Sequence, residues 1–152
     1  MKNGRVENGS VQEFLESAGT AALECKRLRR RLKVLTERRA EFQTQRRAGA
    51  RKIARLICDE WERELAAVER EQERYRTVEA FLEQIPDEMY RMILRRRYLD
   101  VGLSWEEIRE RLEEDGVFYS QRHITRLHTQ ALEAAQLLWD RVGKEGESLK
   151  RR

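Results

Sequence analysis

The stretch that decides the fold runs from Ile85 to Ala135 and reads IPDEMYRMILRRRYLD, VGLSWEEIRERL and EEDGVFYSQRHITRLHTQALEAA. Its apolar residues recur at steps of three and four, which indicates two short helices followed by a longer one. The longer helix carries Gln and Arg rather than acidic residues in its first turns. A basic, polar face at the start of a helix held by two others is how a helix-turn-helix presents side chains to the DNA major groove.

Helix-start and helix-stop residues divide this stretch. Pro86 ends the preceding helix, because the residue before proline avoids the helical region, and it suits the first position of the next helix. Gly102 ends that helix, and Ser104 forms a capping box at the start of the following one. A turn over residues 113–119 then leads to Ser120, which we expect to cap the last helix.

The first half of the chain has the 3.5-residue seam of a coiled coil. We expect its first helix to be capped by Ser10 and to end at a hinge between Gln43 and Ala50. Arg39 interrupts the seam close to that hinge. The seam positions are Val11, Phe14, Ala18, Ala21, Cys25, Leu28, Leu32, Leu35, Arg39 and Phe42.

A second long helix is predicted from about Arg51 to Gln84. The two helices would form an antiparallel hairpin, or one continuous helix, since a single glycine costs only about 1 kcal/mol. A hairpin exposes too much surface to be stable by itself, so we expect it to self-associate or to pack on the C-terminal helices. The apolar side of the second helix is predicted to comprise Ile53, Leu56, Ile57, Trp61, Leu65, Val68, Tyr75, Val78, Leu82 and Ile85.

The net charge of +4 conceals a strong asymmetry along the 152 residues. Residues 26–55 hold 13 basic and two acidic groups, whereas residues 56–152 hold 17 basic and 22 acidic groups. The basic stretch could bind DNA phosphates and add a salt-dependent contribution to affinity. Alternatively, it is a solvated helix face that pairs with the acidic run Asp59–Glu73 of the second helix.

Several classes of protein are excluded by the sequence. No apolar run is long enough to span a membrane, and the N-terminus lacks the apolar core of a secretory signal. Two cysteines, Cys25 and Cys58, are too few for a disulfide framework, and the hairpin register would place them far apart. Neither a phosphate-binding loop, nor a metal-spaced set of ligands, nor a nucleophile with a nearby base is present. We therefore expect a non-enzyme without cofactor or metal, with no membrane association.

The first turns of the last helix hold the candidate base-contacting residues. Arg can bond guanine as a fork, Gln can pair with adenine, and the Thr methyl group can contact thymine. Phosphate contacts are expected from the arginines that end the first helix of the unit and from neighbouring polar groups. The base-facing set is Gln121, Arg122, Thr125 and Arg126, and the phosphate set is Arg95, Arg96, Arg97, Ser120, His123 and Thr129.

Three segments of this stretch resemble the fourth region of bacterial sigma factors, whose helix-turn-helix reads a promoter element. These segments are IPDEMYRMILRRRYLD, GLSWEEI and YSQRHITRLHTQAL. They are more similar still to the RinA/ArpU-like late-gene activators of phages, which combine a coiled N-terminal half with a sigma-like C-terminus. The resemblance covers about 50 residues. It implies base contacts by Gln121, Arg122, Thr125 and Arg126, a cap at Ser120 and, as a further partner, bacterial RNA polymerase.

The sequence departs from the sigma pattern in its long turn, EEDGVFY, between the last two helices. Either the last helix sits at a shifted angle, or Phe118 and Tyr119 cover additional core. A region that reads a second promoter element and a segment that binds core polymerase, both found in full sigma factors, are also missing. We therefore expect a regulator and not a complete sigma factor.

The sequence thus predicts an all-α protein with a long N-terminal helical hairpin, or coiled coil, and a C-terminal sigma region-4-like helix-turn-helix. The expected divisions are 1–10 (disordered), 11–85 (hairpin for oligomerisation or partner contact), 86–142 (DNA-binding) and 143–152 (frayed). The expected function is sequence-specific binding of double-stranded DNA by a phage- or prophage-encoded transcription regulator in the bacterial cytoplasm, associated with the nucleoid.

Two other functions fit the same pattern. A phage small terminase subunit, which packages DNA, also combines a helix-turn-helix with oligomerising helices, but its DNA-binding unit usually comes first. A ring-shaped oligomer would favour it. A coiled-coil adaptor without a nucleic-acid role predicts that Arg122 and Arg126 affect no activity.

Overall fold

A computed structural model of the chain describes the backbone of residues 2–45 and 48–150. It describes the side chains of residues 11–45 and 48–143. Its helices are α1 (Lys2–Thr44), α2 (Ala50–Glu83), α3 (Glu88–Leu94), α4 (Trp105–Glu114) and α5 (Gln121–Lys150), with a π-helical turn at Arg95–Leu99. The described residues contain no strand. The predicted all-α architecture with a long N-terminal helical hairpin is confirmed.

The predicted hinge between Gln43 and Ala50 is described except at residues 46 and 47, and the helices on either side of it run antiparallel. Gly49 adopts a φ of +88°, a left-handed conformation that glycine reaches without steric cost. The Cys25 thiol lies 3.7 Å from the carbonyl oxygen of Val68, and the Trp61 indole N–H donates to the Thr36 hydroxyl oxygen over 3.1 Å. These pairs confirm the antiparallel register and exclude one continuous helix. Both cysteines are free thiols, as expected.

The seam of α1 is confirmed, since its positions from Val11 to Leu35 are buried or half-buried. Its interruption is tolerated because the guanidinium of Arg39 lies over the Trp61 ring, 5.2 Å from its centre. This cation–π contact lets a charged residue occupy a seam position without being buried alone.

The apolar side of α2 was assigned wrongly near the hinge. Ile53 and Leu56 are 42% and 59% exposed, whereas Ala50 and Ala54 are buried. Small alanines take the contact positions there, so the larger side chains one step away turn outward. Phe81 is buried as well, although the predicted apolar side omits it.

Two helix ends differ from the sequence-based expectation. Helix α1 begins at Lys2 and not after a cap at Ser10, and α5 continues to Lys150, through most of the tail expected to fray. Once a helix is held by packing, each added residue gains one backbone hydrogen bond at little nucleation cost, so it extends until a residue stops it. Neither end contains a proline.

The chain forms two compact units: one is Thr20–Arg74, and the other combines the segments up to Gly19 and from Tyr75 onward. These units divide the chain at other positions than the expected domains. In the second unit, the first turns of α1 and the last turns of α2 pack on the C-terminal helices. This packing was one of the two ways in which the hairpin was expected to be stabilised. Its main core consists of Val11, Leu15, Ala18, Val78, Phe81, Leu82, Ile85, Leu94, Tyr98, Leu99, Ala131 and Ala135.

The start of α3 corrects the role of Pro86. Asp87 is the capping residue, because its carboxylate accepts a hydrogen bond from the Tyr90 N–H over 3.0 Å, and α3 begins at Glu88. Pro86 therefore lies just before the cap rather than at the first helical position. A carboxylate at the cap satisfies a backbone N–H that the proline ring could not.

Candidate nucleic-acid interface

A small core fixes α5 against α3 and α4. Ile93, Ile108, Leu112 and Ile124 are all fully buried in it, and they come from α3, α4 and α5. Leu127 and Trp105 pack against this cluster from its edge. Since Ile124 lies on the first turn of α5, the opposite side of that turn is left for solvent or a ligand.

The turn between α4 and α5 is held at its beginning and at its end. Gly116 has a φ of +89°, and the Val117 N–H donates to the Leu112 carbonyl oxygen over 2.8 Å. Phe118 is 73% exposed, so the expectation that it covers additional core is wrong. Tyr119 is 37% exposed and meets the His123 ring edge-on at 4.5 Å. The long turn thus packs through Val117, and the Phe118 side chain remains outside.

Ser120 caps α5 as predicted. Its hydroxyl oxygen accepts a hydrogen bond from the His123 N–H over 3.1 Å, and α5 begins at Gln121. The cap leaves other N–H groups of the first turn without an intrahelical acceptor, and the helix dipole adds partial positive charge there. This end of α5 is suited to a partner that carries negative charge.

The predicted base-facing residues share the outer side of the first two turns. Gln121, Arg122 and Arg126 are exposed, and Thr125 is half-buried. The Thr125 hydroxyl donates to the Arg122 carbonyl oxygen over 2.9 Å, and the Thr129 hydroxyl donates in turn to the Thr125 carbonyl oxygen over 3.3 Å. Because each hydroxyl hydrogen is used within the helix, a threonine on this face can offer a base its methyl group and its hydroxyl oxygen as an acceptor.

The guanidinium groups of Arg122 and Arg126 are not paired with a carboxylate in the described residues. Within the described part of the chain, neither forms an ion pair or a side-chain hydrogen bond. Residues four apart on a helix are neighbours, so the two guanidiniums lie one turn from each other. An exposed pair of this kind can bind a polyanion without first breaking an internal contact.

The three predicted phosphate-binding arginines have internal partners. Arg95 pairs with Glu83, and Arg96 bonds the carboxylates of Asp100 and Asp115 at 3.0 and 2.7 Å. A phosphate would have to compete with these carboxylates.

Arg97 is held in a different way. Its guanidinium donates to the Leu103 carbonyl oxygen over 3.2 Å and lies 4.3 Å from the centre of the Trp105 ring. All three arginines therefore fasten the π-helical turn to its surroundings, and we leave them out of the proposed interface.

His128 is half-buried, and its hydrogen-bond partner, Tyr98, is one that the sequence pattern did not predict. Its Nε2 lies 2.9 Å from the Tyr98 hydroxyl, and its ring meets Trp105 at 4.9 Å. Burial, with a smaller contribution from the positive charge of Arg97, lowers the pKa of His128 to about 4. Burial also raises the pKa of Tyr98 to about 12. Both groups are neutral at pH 7, and their bond crosses 30 residues of sequence.

The low pKa of His128 makes stability depend on pH. An unfolded chain protonates this ring near pH 6.5, whereas the folded protein resists protonation down to about pH 4. The free energy of unfolding should therefore fall as the pH drops from 6.5 to 4, by about 2 kcal/mol once partial exposure is allowed for. Urea titrations across this range measure it. His128→Phe should remove this part of the slope, and an identical slope in that variant would contradict the assignment.

No protein-family model, curated protein or solved structure matches this chain. Of the helices in the described residues, none has both the length and the apolar character needed to cross a membrane. The same residues contain no group of three or more His, Cys, Asp or Glu that could hold a metal ion.

Proposed function

We propose that this protein is a sequence-specific DNA-binding transcription regulator that docks the first turns of α5 in the major groove. The observation that supports this most strongly is the contrast across one helix turn. Ile124 is fully buried, whereas Arg122 and Arg126, on either side of it in sequence, are exposed and form no ion pair within the described residues. A capped helix with one face buried and a polar face free is the form of a recognition helix.

The chemistry of the face defines what it could read. Each arginine can bond O6 and N7 of guanine as a fork, and Gln121 can bond N6 and N7 of adenine. Thr125 offers its methyl group to a thymine methyl group. A good bidentate contact contributes about 1–3 kcal/mol of discrimination between bases, so two or three of them suffice for a selective regulator.

The resemblance to sigma region 4 and to phage late-gene activators supports the same function and adds its context. It suggests a phage or prophage gene, action in the bacterial cytoplasm and contact with RNA polymerase. Self-association through residues 11–85 stays a prediction, which light scattering of the purified protein would test.

Selection from genomic DNA tests the proposal. The protein is incubated with sheared source-genome DNA at about 0.15 M salt, where non-specific binding is weak, and the bound fragments are sequenced. We expect enrichment of one or a few upstream regions by the native protein and none by Arg122→Ala/Arg126→Ala. Uniform recovery by both proteins would reject sequence-specific binding, and absence of any recovered DNA would favour the coiled-coil adaptor.

A further inference from the structure

We infer that the basic end of the helical hairpin, residues 26–45 and 48–55, is a second DNA-binding surface that contacts phosphates without reading sequence. This inference does not rest on the proposed function of α5, because it concerns the Thr20–Arg74 unit alone. Sequence patterning left two interpretations of the basic stretch open, namely phosphate binding or neutralisation by the acidic run Asp59–Glu73. The contacts within the hairpin distinguish between them.

Direct ion pairing with the partner helix is confined to one residue in the described part of the hairpin, although Glu64 also attracts Arg27 and Glu60 attracts Arg38 without direct contact. Glu60 and Glu64 are the acidic groups of α2 that form ion pairs with α1 in the described residues, and both pair with Arg31. The hydrogen bond from Arg31 holds the pKa of Glu60 below its usual range. Arg27 pairs with Glu24 of its own helix, and the Arg39 charge lies over the Trp61 ring.

The other described basic groups in this stretch have no carboxylate in direct contact. Eight side chains are exposed, and within the described residues none of them forms an ion pair. They lie on both helices of the hairpin, so the positive charge is not confined to one face of one helix. These residues are Lys26, Arg29, Arg30, Lys33, Arg38, Arg51, Lys52 and Arg55.

The concentration of like charge points to a polyanion as partner. Like charges four residues apart on a helix repel each other, as at Lys26 and Arg30 or Arg51 and Arg55. A DNA backbone relieves this repulsion, and each neutralised phosphate releases condensed counterions, which is favourable. An anionic membrane would also attract the charge, but an interfacial helix needs a continuous apolar face. Three exposed aliphatic side chains lie among these cations, and they are divided between two helices, Val34 on α1 and Ile53 and Leu56 on α2.

The salt dependence of binding to a duplex of mixed sequence tests the inference on the full chain. We compare Arg51→Gln/Arg55→Gln with a matched double, Arg63→Gln/Arg70→Gln. Both pairs are exposed arginines of α2, and each double removes the same charge. Glutamine retains helix propensity, and circular dichroism checks folding.

Between about 0.05 and 0.2 M salt, loss of two phosphate contacts should reduce the slope of log K against log salt by about 1.8. The matched double should retain the native slope. An unchanged slope in Arg51→Gln/Arg55→Gln, or an equal decrease in both doubles, would overturn the inference. A loss confined to binding of vesicles containing phosphatidylserine would also overturn it and assign the surface to membranes.

A further background separates this inference from the proposed role of α5. In Arg122→Ala/Arg126→Ala, the two hairpin substitutions should still reduce the slope on mixed-sequence DNA. If the slope decreases in this background and the native protein shows no sequence preference, the hairpin surface is supported and the reading role of α5 is rejected. The reverse pattern would reject the hairpin surface alone.

Discussion

Replacing Leu82 by alanine should lower the free energy of unfolding by about 2–5 kcal/mol. Leu82 is fully buried in the main core, where α2 meets α1 and the C-terminal helices. The substitution removes apolar contacts and leaves a cavity that close-packed neighbours fill only in part. Urea denaturation followed by circular dichroism measures the change.

Leu56→Ala provides the matched control for this prediction. The same substitution is made in the same helix, but Leu56 is 59% exposed, so its effect should stay within about 0.5 kcal/mol. If the two variants lost equal stability, the placement of the α2 core face would be wrong. A larger loss for Leu56→Ala would mean that residues near the hinge are buried in the protein in solution, as in a self-associated hairpin.

Replacing both Arg122 and Arg126 by alanine should weaken binding to the preferred DNA site by about 2–4 kcal/mol, which is at least about 30-fold in affinity. Both guanidiniums are exposed on the first two turns of α5, and within the described residues no internal ion pair is lost with them. The folded state should therefore keep its stability. Fluorescence anisotropy with the selected fragment measures the affinity.

The control for this double substitution is Arg63→Ala/Arg70→Ala, which removes the same charge from exposed positions of α2. It should reduce affinity only slightly, and equally for preferred and mixed-sequence DNA. The α5 double should lose much more affinity for the preferred site than for mixed DNA. Equal losses on both kinds of DNA would mean that α5 contacts phosphates and does not discriminate between bases.

The features that could be predicted from sequence are those encoded by local patterns. The seam of α1 repeats every three or four residues, so its burial followed from helix geometry. Ser104 and Ser120 act as caps because a hydroxyl placed just before a helix satisfies a nearby backbone N–H. The exposure of Arg122 and Arg126 followed from the burial of Ile124 between them.

The remaining features depend on partners that are distant in sequence. Arg96 was expected to bind phosphate, but Asp115 lies 19 residues away and takes its guanidinium. The pairing of His128 with Tyr98 and the stacking of Arg39 on Trp61 are also long-range. Ile53 is exposed because Ala50 and Ala54 face α1 instead. Near the end of a helix, the apolar periodicity did not show which residues take these contact positions.

The central claim is that α5 reads base edges in the major groove, and methylation interference at guanine N7 tests it most directly. The selected DNA fragment is methylated sparsely at N7, the atom that an arginine fork would bond, and bound and unbound molecules are sequenced. The native protein should exclude fragments methylated at one or two particular guanines. Arg126→Ala should lose that sensitivity at one of them and retain the other. Indifference of the native protein to N7 methylation, or the same pattern in both proteins, would contradict the claim.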